Sequence, residues 1–78
     1  MNEKVNVILD YFSYMLGHVM EMYNVTQCEL AEKIGVSQSD VSKYVRGIHV
    51  PSLPMFIKIC LALDVPVDMM LQFDIDER

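Results

Sequence analysis

Apolar residues recur every three or four positions along the first 23 residues of the chain and again from residue 53 onwards. This spacing is typical of one face of an α-helix. The first pattern predicts a long helix from about Glu3 to Tyr23, which would form one wall of the core. Asn24 follows it, and asparagine tolerates the left-handed backbone that often ends a helix. The predicted apolar stripe consists of Val5, Ile8, Phe12, Met15, Leu16, Val19 and either Met22 or Tyr23.

The later pattern predicts two more helices. Ser52 is a candidate N-cap for the first of them, and Pro54 falls in its first turn, where a backbone amide has no intrahelical partner. The periodic apolar residues of this helix are Leu53, Phe56, Ile57, Cys60, Leu61 and Leu63. The last helix is predicted from about Val67 to Phe73, and Pro66 before it lacks a capping hydroxyl group. Residues 74–78 are expected to form a frayed acidic tail.

Between these segments, two short helices each begin with a capping pair. Thr26 and Glu29 have the spacing of a capping box, and Ser37 and Asp40 repeat that spacing for the second helix. Gly35 separates the helices, because a residue without a Cβ can adopt the left-handed conformation that ends a helix and redirects the chain. The inward-facing residues are predicted to be Leu30, Ala31, Ile34, Val36, Val41 and Tyr44. Two helices joined in this way form a helix-turn-helix.

The length of 78 residues fits one domain with one core. We expect this domain to span residues 1–73, with the helix-turn-helix unit at residues 26–46. Cys28 and Cys60 lie on separate predicted helices without metal-ligand spacing, so we expect reduced thiols, the alternative being a structural disulfide. The sequence has no secretory signal and no apolar run of about 20 residues. These features predict a soluble cytoplasmic protein without a membrane segment or a bound metal.

Charge is distributed unevenly along the chain. The formal net charge is −5 at pH 7, which opposes attraction to nucleic-acid phosphates. Residues 1–32 and residues 64–78 each contain five carboxylates and one basic side chain, whereas residues 33–63 contain four basic side chains and one carboxylate. Because salt screens charges over about 8 Å at physiological ionic strength, a local basic surface can attract DNA despite distant carboxylates. We expect weak binding by one subunit and specific binding by two.

The central part of the chain contains the pattern Thr26-Gln27-x-x-Leu30-Ala31-x-x-x-Gly35-Val36-Ser37, followed by Val41-Ser42, Gly47, Pro51-Ser52-Leu53 and Ala62-Leu63-x-Val65. Over about residues 16–73 the chain resembles helix-turn-helix proteins of the phage repressor and Cro type. The resemblance implies an all-α fold, a compact five-helix domain like that of lambda repressor. It also implies a sequence-specific regulator of transcription, a small prophage-type repressor that binds the major groove of double-stranded DNA as a homodimer. No cofactor or small-molecule ligand is implied.

The resemblance also implies which side chains contact DNA. In this family the exposed side chains at the start of the third helix enter the major groove, and those positions hold Gln38, Ser39, Ser42 and Lys43. The alternative for these residues is a solvated helix face without a ligand. The implied phosphate contacts are Gln27 at the start of the second helix and, as weaker candidates, Lys33, Ser37, Arg46 and His49.

Two positions depart together from the family pattern. Many members hold an arginine late in the first helix and a glutamate near the end of the third, joined as an internal salt bridge. The corresponding residues of this chain are Met20 and Val45. Removing one partner of a buried pair costs several kcal/mol, whereas replacing both with apolar residues can be neutral or stabilising. We therefore predict that Met20 and Val45 contact each other.

The chain contains more apolar surface than one small core needs. The additional residues are Leu9, Tyr11, Tyr14 and Met20 on the first helix and Met69, Met70, Leu71 and Phe73 on the last. We predict that Leu71 and Phe73 form the dimer interface, the alternative being that they close the monomer core. The second functional hypothesis is a protein-binding antirepressor or antitoxin-like module on the same fold. An enzyme is not expected, because the sequence shows no catalytic or metal-binding constellation.

Overall fold

The computed structural model describes residues 3–71, with the side chain of Lys4 excepted. Within this range the chain forms five α-helices, which are α1 (Glu3–Met22), α2 (Gln27–Ile34), α3 (Gln38–Val45), α4 (Leu53–Leu63) and α5 (Val67–Met70). The predicted all-α fold is confirmed. The helix α5 ends at Met70, whereas the predicted end at Phe73 and the predicted tail at residues 74–78 lie outside the described residues.

Every helix contributes to one core. The most deeply buried side chains are Leu16, Val19, Leu30, Val41, Ile59 and Met70. Phe12 and Phe56 join α1 to α4, with ring centroids 5.6 Å apart and an interplanar angle of 68°. This edge-to-face arrangement is one of the two that aromatic pairs prefer. Because burying one aliphatic side chain stabilises the fold by about 1.5–3 kcal/mol, the short helices depend on this shared core rather than on their own length.

Only the central part of the predicted α1 stripe is buried. Phe12, Leu16 and Val19 lie in the core, as predicted, but Val5 and Met22 are exposed. A helix of 20 residues is about 30 Å long, whereas the two shorter dimensions of the molecule are 23 and 21 Å. The helix therefore extends beyond its packing partners.

The prediction for α4 is wrong at three positions. Leu53, Ile57 and Leu61 are 69%, 43% and 75% exposed, while Ile59, which the predicted stripe omits, is completely buried. Nine of the eleven residues of α4 are apolar, so periodicity alone does not distinguish its two faces. The buried face is selected by the packing of α4 against α2 and α5.

The local signals that begin and end the helices are confirmed. The Thr26 hydroxyl accepts a hydrogen bond from the Glu29 amide at 3.1 Å, and the Thr26 amide donates to the Glu29 carboxylate at 2.8 Å. Ser37 and Asp40 form the same reciprocal pair, at 3.1 and 3.2 Å. Gly35 has φ of 79°, in the left-handed region that its predicted role requires. An N-cap of this kind stabilises a helix by about 1 kcal/mol.

The two cysteines are free thiols in different environments. Cys28 is exposed on α2, and Cys60 is buried on α4. Burial raises the pKa of the Cys60 thiol, because desolvation disfavours the thiolate. We expect iodoacetamide to alkylate Cys28 in the native protein and Cys60 only after denaturation, as measured by mass spectrometry of the intact chain. The native Cys28→Ser variant should remain unlabelled, and equal labelling of both thiols in the native protein would contradict the structure.

No helix among residues 3–71 combines the length and apolarity that a membrane crossing requires. In the same part of the chain, no three side chains of the types His, Cys, Asp and Glu are grouped closely enough to hold a metal ion.

Candidate nucleic-acid interface

The polar edge of α3 faces outward. Val41 and Tyr44 bury one side of this helix in the core. Along the opposite side Gln38, Ser39 and Lys43 are exposed and Ser42 is half-buried. We call these four residues, Gln38, Ser39, Ser42 and Lys43, the α3 edge. Its side chains are available to a partner because Val41 and Tyr44 hold the helix against the core from the other side.

Gln38 is bonded to Gln27. Its Nε2 donates a hydrogen bond to Oε1 of Gln27 over 2.7 Å. The bond joins the first residue of α3 to the first residue of α2. It uses one N–H of Gln38 and leaves the carbonyl oxygen and the second N–H for a further partner. The family resemblance predicts separate roles for these two residues, and the bond between them is not apparent from the sequence.

Arg46 extends the α3 edge by one turn. Its Nε donates to the Ser42 hydroxyl at 3.1 Å, and its side chain is exposed. A guanidinium group has five N–H donors, so this bond leaves four of them. The Ser37 hydroxyl accepts from the Asp40 amide, which leaves its own hydrogen available for donation. Arg46 and Ser37, two of the residues predicted to contact phosphate, therefore each retain a hydrogen-bond donor for a partner.

The loop after α3 is held against the end of that helix. The amides of Ile48 and His49 both donate to the Lys43 carbonyl oxygen, at 2.9 and 3.3 Å. Gly47 has φ of 75°, and a Cβ at this position would lie 3.3 Å from the Ser13 hydroxyl oxygen, so both backbone conformation and space favour glycine. The His49 ring lies 5.9 Å from the Tyr44 ring. His49 is thereby fixed near the end of α3.

Lys33 lies apart from the other predicted phosphate-contacting residues. It lines a cleft between α2 and α4, together with Lys58 and Leu61. Gln27 and Lys33 are six residues apart on α2, so about 9 Å along the axis and about 120° around it separate their positions. The four basic side chains of residues 33–63 are therefore divided between two surfaces. Lys33 and Lys58 line the cleft between α2 and α4, whereas Lys43 and Arg46 lie along α3 and at its end.

Met20 and Val45 face the same cleft. Met20 is buried, Val45 is half-buried, and both line a space of about 310 Å³ that Gly17, Val25 and Gln27 also border. A Cβ added to Gly17 would lie 3.4 Å from Cγ1 of Val45, so α1 and α3 approach each other closely here. This arrangement is the one that the predicted contact between Met20 and Val45 requires.

A family model described as helix-turn-helix matches residues 18–69, which include α2, the turn and α3. The chain belongs to the helix-turn-helix family. This helix-turn-helix protein is also similar to the cryptic phage CTXphi transcriptional repressor RstR of Vibrio cholerae serotype O1, with 32% identity over 53 residues. The matched residues are 68% of this chain and 47% of the relative, so the chain spans about half the length of that protein. The predicted resemblance to phage repressors is confirmed.

One acidic residue of this helix-turn-helix protein, which the sequence did not indicate as part of the site, lies beside Gln27. Glu21 is exposed and lines the cleft that contains Thr26 and Gln27. It also lines the neighbouring cleft of about 470 Å³, where the rings of Tyr14 and His18 stack with centroids 5.8 Å apart. The position of Glu21 relative to Gln27 depends on the path of the chain between α1 and α2, which the sequence pattern does not specify.

Of the two residues predicted to form the dimer interface of this helix-turn-helix protein, the structure describes only Leu71. Leu71 is half-buried and packs against the core, whereas Phe73 lies outside the described residues. Met70, another of the additional apolar residues, is completely buried. The contacts of Leu71 favour the alternative in which this residue closes the monomer core.

Proposed function

We propose that this protein is a sequence-specific DNA-binding regulator of transcription. The observation that carries the proposal is the outward-facing α3 edge, in which Gln38 is bonded to Gln27 at 2.7 Å. Family membership supports DNA binding as the purpose of this edge. The name of the matched relative, a transcriptional repressor of a cryptic phage, supports repression. Repression would follow from occupation of an operator that RNA polymerase also needs.

The α3 edge has the chemistry for reading base edges. A glutamine amide pairs with adenine by accepting from N6 and donating to N7, which requires the groups that the Gln27 bond leaves on Gln38. Because that bond restricts the Gln38 side chain before DNA arrives, less conformational entropy is lost on binding. Ser39, Ser42 and Lys43 supply further donors, and lysine suits the acceptor edge of guanine.

Phosphate contacts would lie on both sides of the base-reading helix. Gln27 offers its Nε2 donors beside the amides at the start of α2, where a helix favours an anion. Ser37, Arg46 and His49 offer donors near the two ends of α3. Lys33 lies in the cleft with Lys58. We therefore propose that Lys33 attracts DNA through its charge and does not contact a phosphate directly.

We propose that two subunits bind one operator. The net charge of −5 and the small number of basic side chains limit what one subunit gains from phosphate. Two subunits related by a twofold axis would place their recognition helices in half-sites about 34–36 Å apart, one turn of DNA. Phe73 remains a predicted contact between subunits, whereas the packing of Leu71 against its own core favours the alternative role for that residue.

Selection of bound sequences from a random DNA duplex pool tests this function directly. We expect an enriched motif with twofold symmetry. For that motif, the logarithm of the binding constant should fall linearly with the logarithm of salt concentration, by about 0.9 for each phosphate neutralised. A pool without enrichment would contradict the function. The protein-binding alternative would gain support if the chain instead bound a protein partner with little dependence on salt.

Removing the charge of Glu21 should strengthen DNA binding. The Glu21 carboxylate lines the same cleft as Gln27, and a charge about 8 Å from a phosphate in water repels it by about 0.5 kcal/mol. We expect Glu21→Gln to raise affinity about twofold for specific and nonspecific duplexes alike, measured by fluorescence anisotropy at low salt. Asp68→Asn is the matched control, because it changes net charge equally from the exposed surface of α5. Equal gains from both variants would show that net charge, and not the position of Glu21, is responsible.

A further inference from the structure

Two of the clefts described above form one continuous groove. The cleft of about 310 Å³ that contains Gln27 and the neighbouring cleft of about 470 Å³ share three lining residues, Gly17, Glu21 and Val45. The groove runs between α1 on one side and the start of α2 and the end of α3 on the other. We call it the α1–α3 groove.

Residues of the proposed DNA-binding surface lie at both ends of the α1–α3 groove. Gln27, a proposed phosphate contact, lines it at the start of α2. At the other end Ser13 lines it, and the Ser13 hydroxyl oxygen lies 3.3 Å from the position of a Cβ added to Gly47. Gly47 directly follows Arg46, another proposed phosphate contact. The groove therefore connects two residues to which the proposed function gives phosphates.

The α1 side of the groove carries two aromatic side chains with hydrogen-bond donors. Tyr14 and His18 line it, both are exposed, and they lie one helical turn apart. Their rings stack with an interplanar angle of 7°. Because stacking restricts the His18 side chain before a ligand arrives, less conformational entropy is lost on binding. An imidazole ring carries an N–H donor in both its neutral and its protonated form, and such a donor suits a phosphate oxygen.

The length of the α1–α3 groove suits a DNA strand. Ser13 and Glu21 are eight residues apart on α1, which corresponds to about 12 Å along the helix axis. Phosphates of one DNA strand follow each other every 3.4 Å or so along the duplex axis, so the groove has room for more than one of them. Gly17 lies midway and has no side chain to obstruct a strand.

We propose that the α1–α3 groove holds the DNA strand that Gln27 contacts, and that His18 donates a hydrogen bond to a phosphate of this strand. Tyr14 positions the His18 ring. The proposal rests on the DNA binding proposed above and adds α1 to the helices that contact the duplex. Glu21 is the carboxylate among the lining residues, and its repulsion of phosphate lowers the affinity that the groove contributes.

Replacement of His18 by alanine tests the phosphate contact. We expect the variant to bind the selected duplex and a nonspecific duplex more weakly by the same factor, roughly 2- to 10-fold for one hydrogen bond. Fluorescence anisotropy measures both affinities. Asn6→Ala, which removes an exposed amide from the same helix, should leave them unchanged. His18 is exposed, so the midpoint of urea denaturation should not move.

The results separate this proposal from the proposed function. If Gln38→Ala changes the base preference while His18→Ala binds DNA as tightly as the unaltered protein, the groove proposal is wrong and the regulator remains. If the unaltered protein binds no duplex, both proposals fail.

Duplexes in which one phosphate at a time is replaced by an uncharged methylphosphonate locate the contact. At one position the replacement should weaken binding by the unaltered protein and have no effect on His18→Ala. The same replacement should still weaken binding by Asn6→Ala. If every replacement affects His18→Ala as it affects the unaltered protein, His18 contacts no phosphate.

The positioning role of Tyr14 has a separate readout. Tyr14→Phe keeps the stacked ring and should bind DNA as the unaltered protein does. Tyr14→Ala should weaken binding when His18 is present and have no further effect in the His18→Ala variant. Additive losses from Tyr14→Ala and His18→Ala would show that Tyr14 does not act through His18.

Discussion

Replacement of Met20 by arginine is expected to destabilise the domain by about 3–5 kcal/mol, the cost of burying an unpaired charge. Met20 is only 5% exposed, in the cleft that Val45 also lines. A domain of this size is stable by roughly 4–12 kcal/mol, so the single substitution removes a large part of the free energy of unfolding. Urea denaturation followed by circular dichroism measures the loss.

A second substitution should rescue this variant. Val45→Glu alone places a carboxylate in the cleft that also contains Glu21, so we expect it to destabilise the fold. Together, Met20→Arg and Val45→Glu place opposite charges in one cleft, and a double-mutant cycle should give a favourable coupling of about 1–3 kcal/mol. Met22→Arg is the matched control, because Met22 is 53% exposed on the same helix. We expect it to change stability by less than about 0.5 kcal/mol.

Two outcomes would contradict the contact between Met20 and Val45. One is a stability loss for Met20→Arg no larger than that for Met22→Arg. The other is a cycle without coupling, in which the double variant loses the sum of the two single losses. Either result would mean that the two side chains do not share the cleft in solution.

Replacement of Gln38 by alanine should remove most of the preference for one base pair of the selected site. A good glutamine contact with adenine discriminates against other bases by about 1–3 kcal/mol, or roughly 5- to 150-fold in affinity. We expect the variant to bind the selected duplex that much more weakly and a nonspecific duplex as before. Fluorescence anisotropy with duplexes that differ at a single base pair measures this change. Asn6→Ala, which removes an exposed amide from the start of α1, is the matched control.

Replacement of Gln27 by alanine should affect both the affinity for DNA and the base preference, because Gln27 is bonded to Gln38. As a phosphate contact, its loss weakens binding to all sequences alike. As the partner that orients Gln38, its loss also reduces the preference for the selected base pair. The effects of Gln27→Ala and Gln38→Ala should therefore be less than additive on the selected duplex. Independent effects of the two substitutions would show that the bond does not orient Gln38 for binding.

Structural features that depend only on residues close together in the sequence could be predicted. The capping pairs of α2 and α3 and the left-handed glycine between them depend on residues no more than three apart. The outward direction of the α3 edge followed because Val41 and Tyr44 fix the opposite side of that short helix. Such features require no knowledge of how the helices pack together.

Features that depend on packing were missed or misassigned. The exposed side of α4 could not be identified, since Leu61 and Ile59 are equally apolar and only the neighbouring helices distinguish them. The bond between Gln27 and Gln38, which lie 11 residues apart, depends on the angle between α2 and α3. Glu21 lies beside Gln27 because of the path that the chain takes between the end of α1 and the start of α2. The predicted contact between Met20 and Val45 came only from the family resemblance, and the structure shows that both residues line one cleft.

In α3, the residues that hold the helix in place are different from the residues that face outward, and this separation affects how such proteins diversify. Ser37 and Asp40 secure its beginning, while Val41 and Tyr44 anchor it in the interior. Gln38, Ser39 and Lys43 take part in neither task, so exchanging them carries little folding penalty. A lineage can thus acquire a new target sequence through a few substitutions while inheriting its scaffold intact.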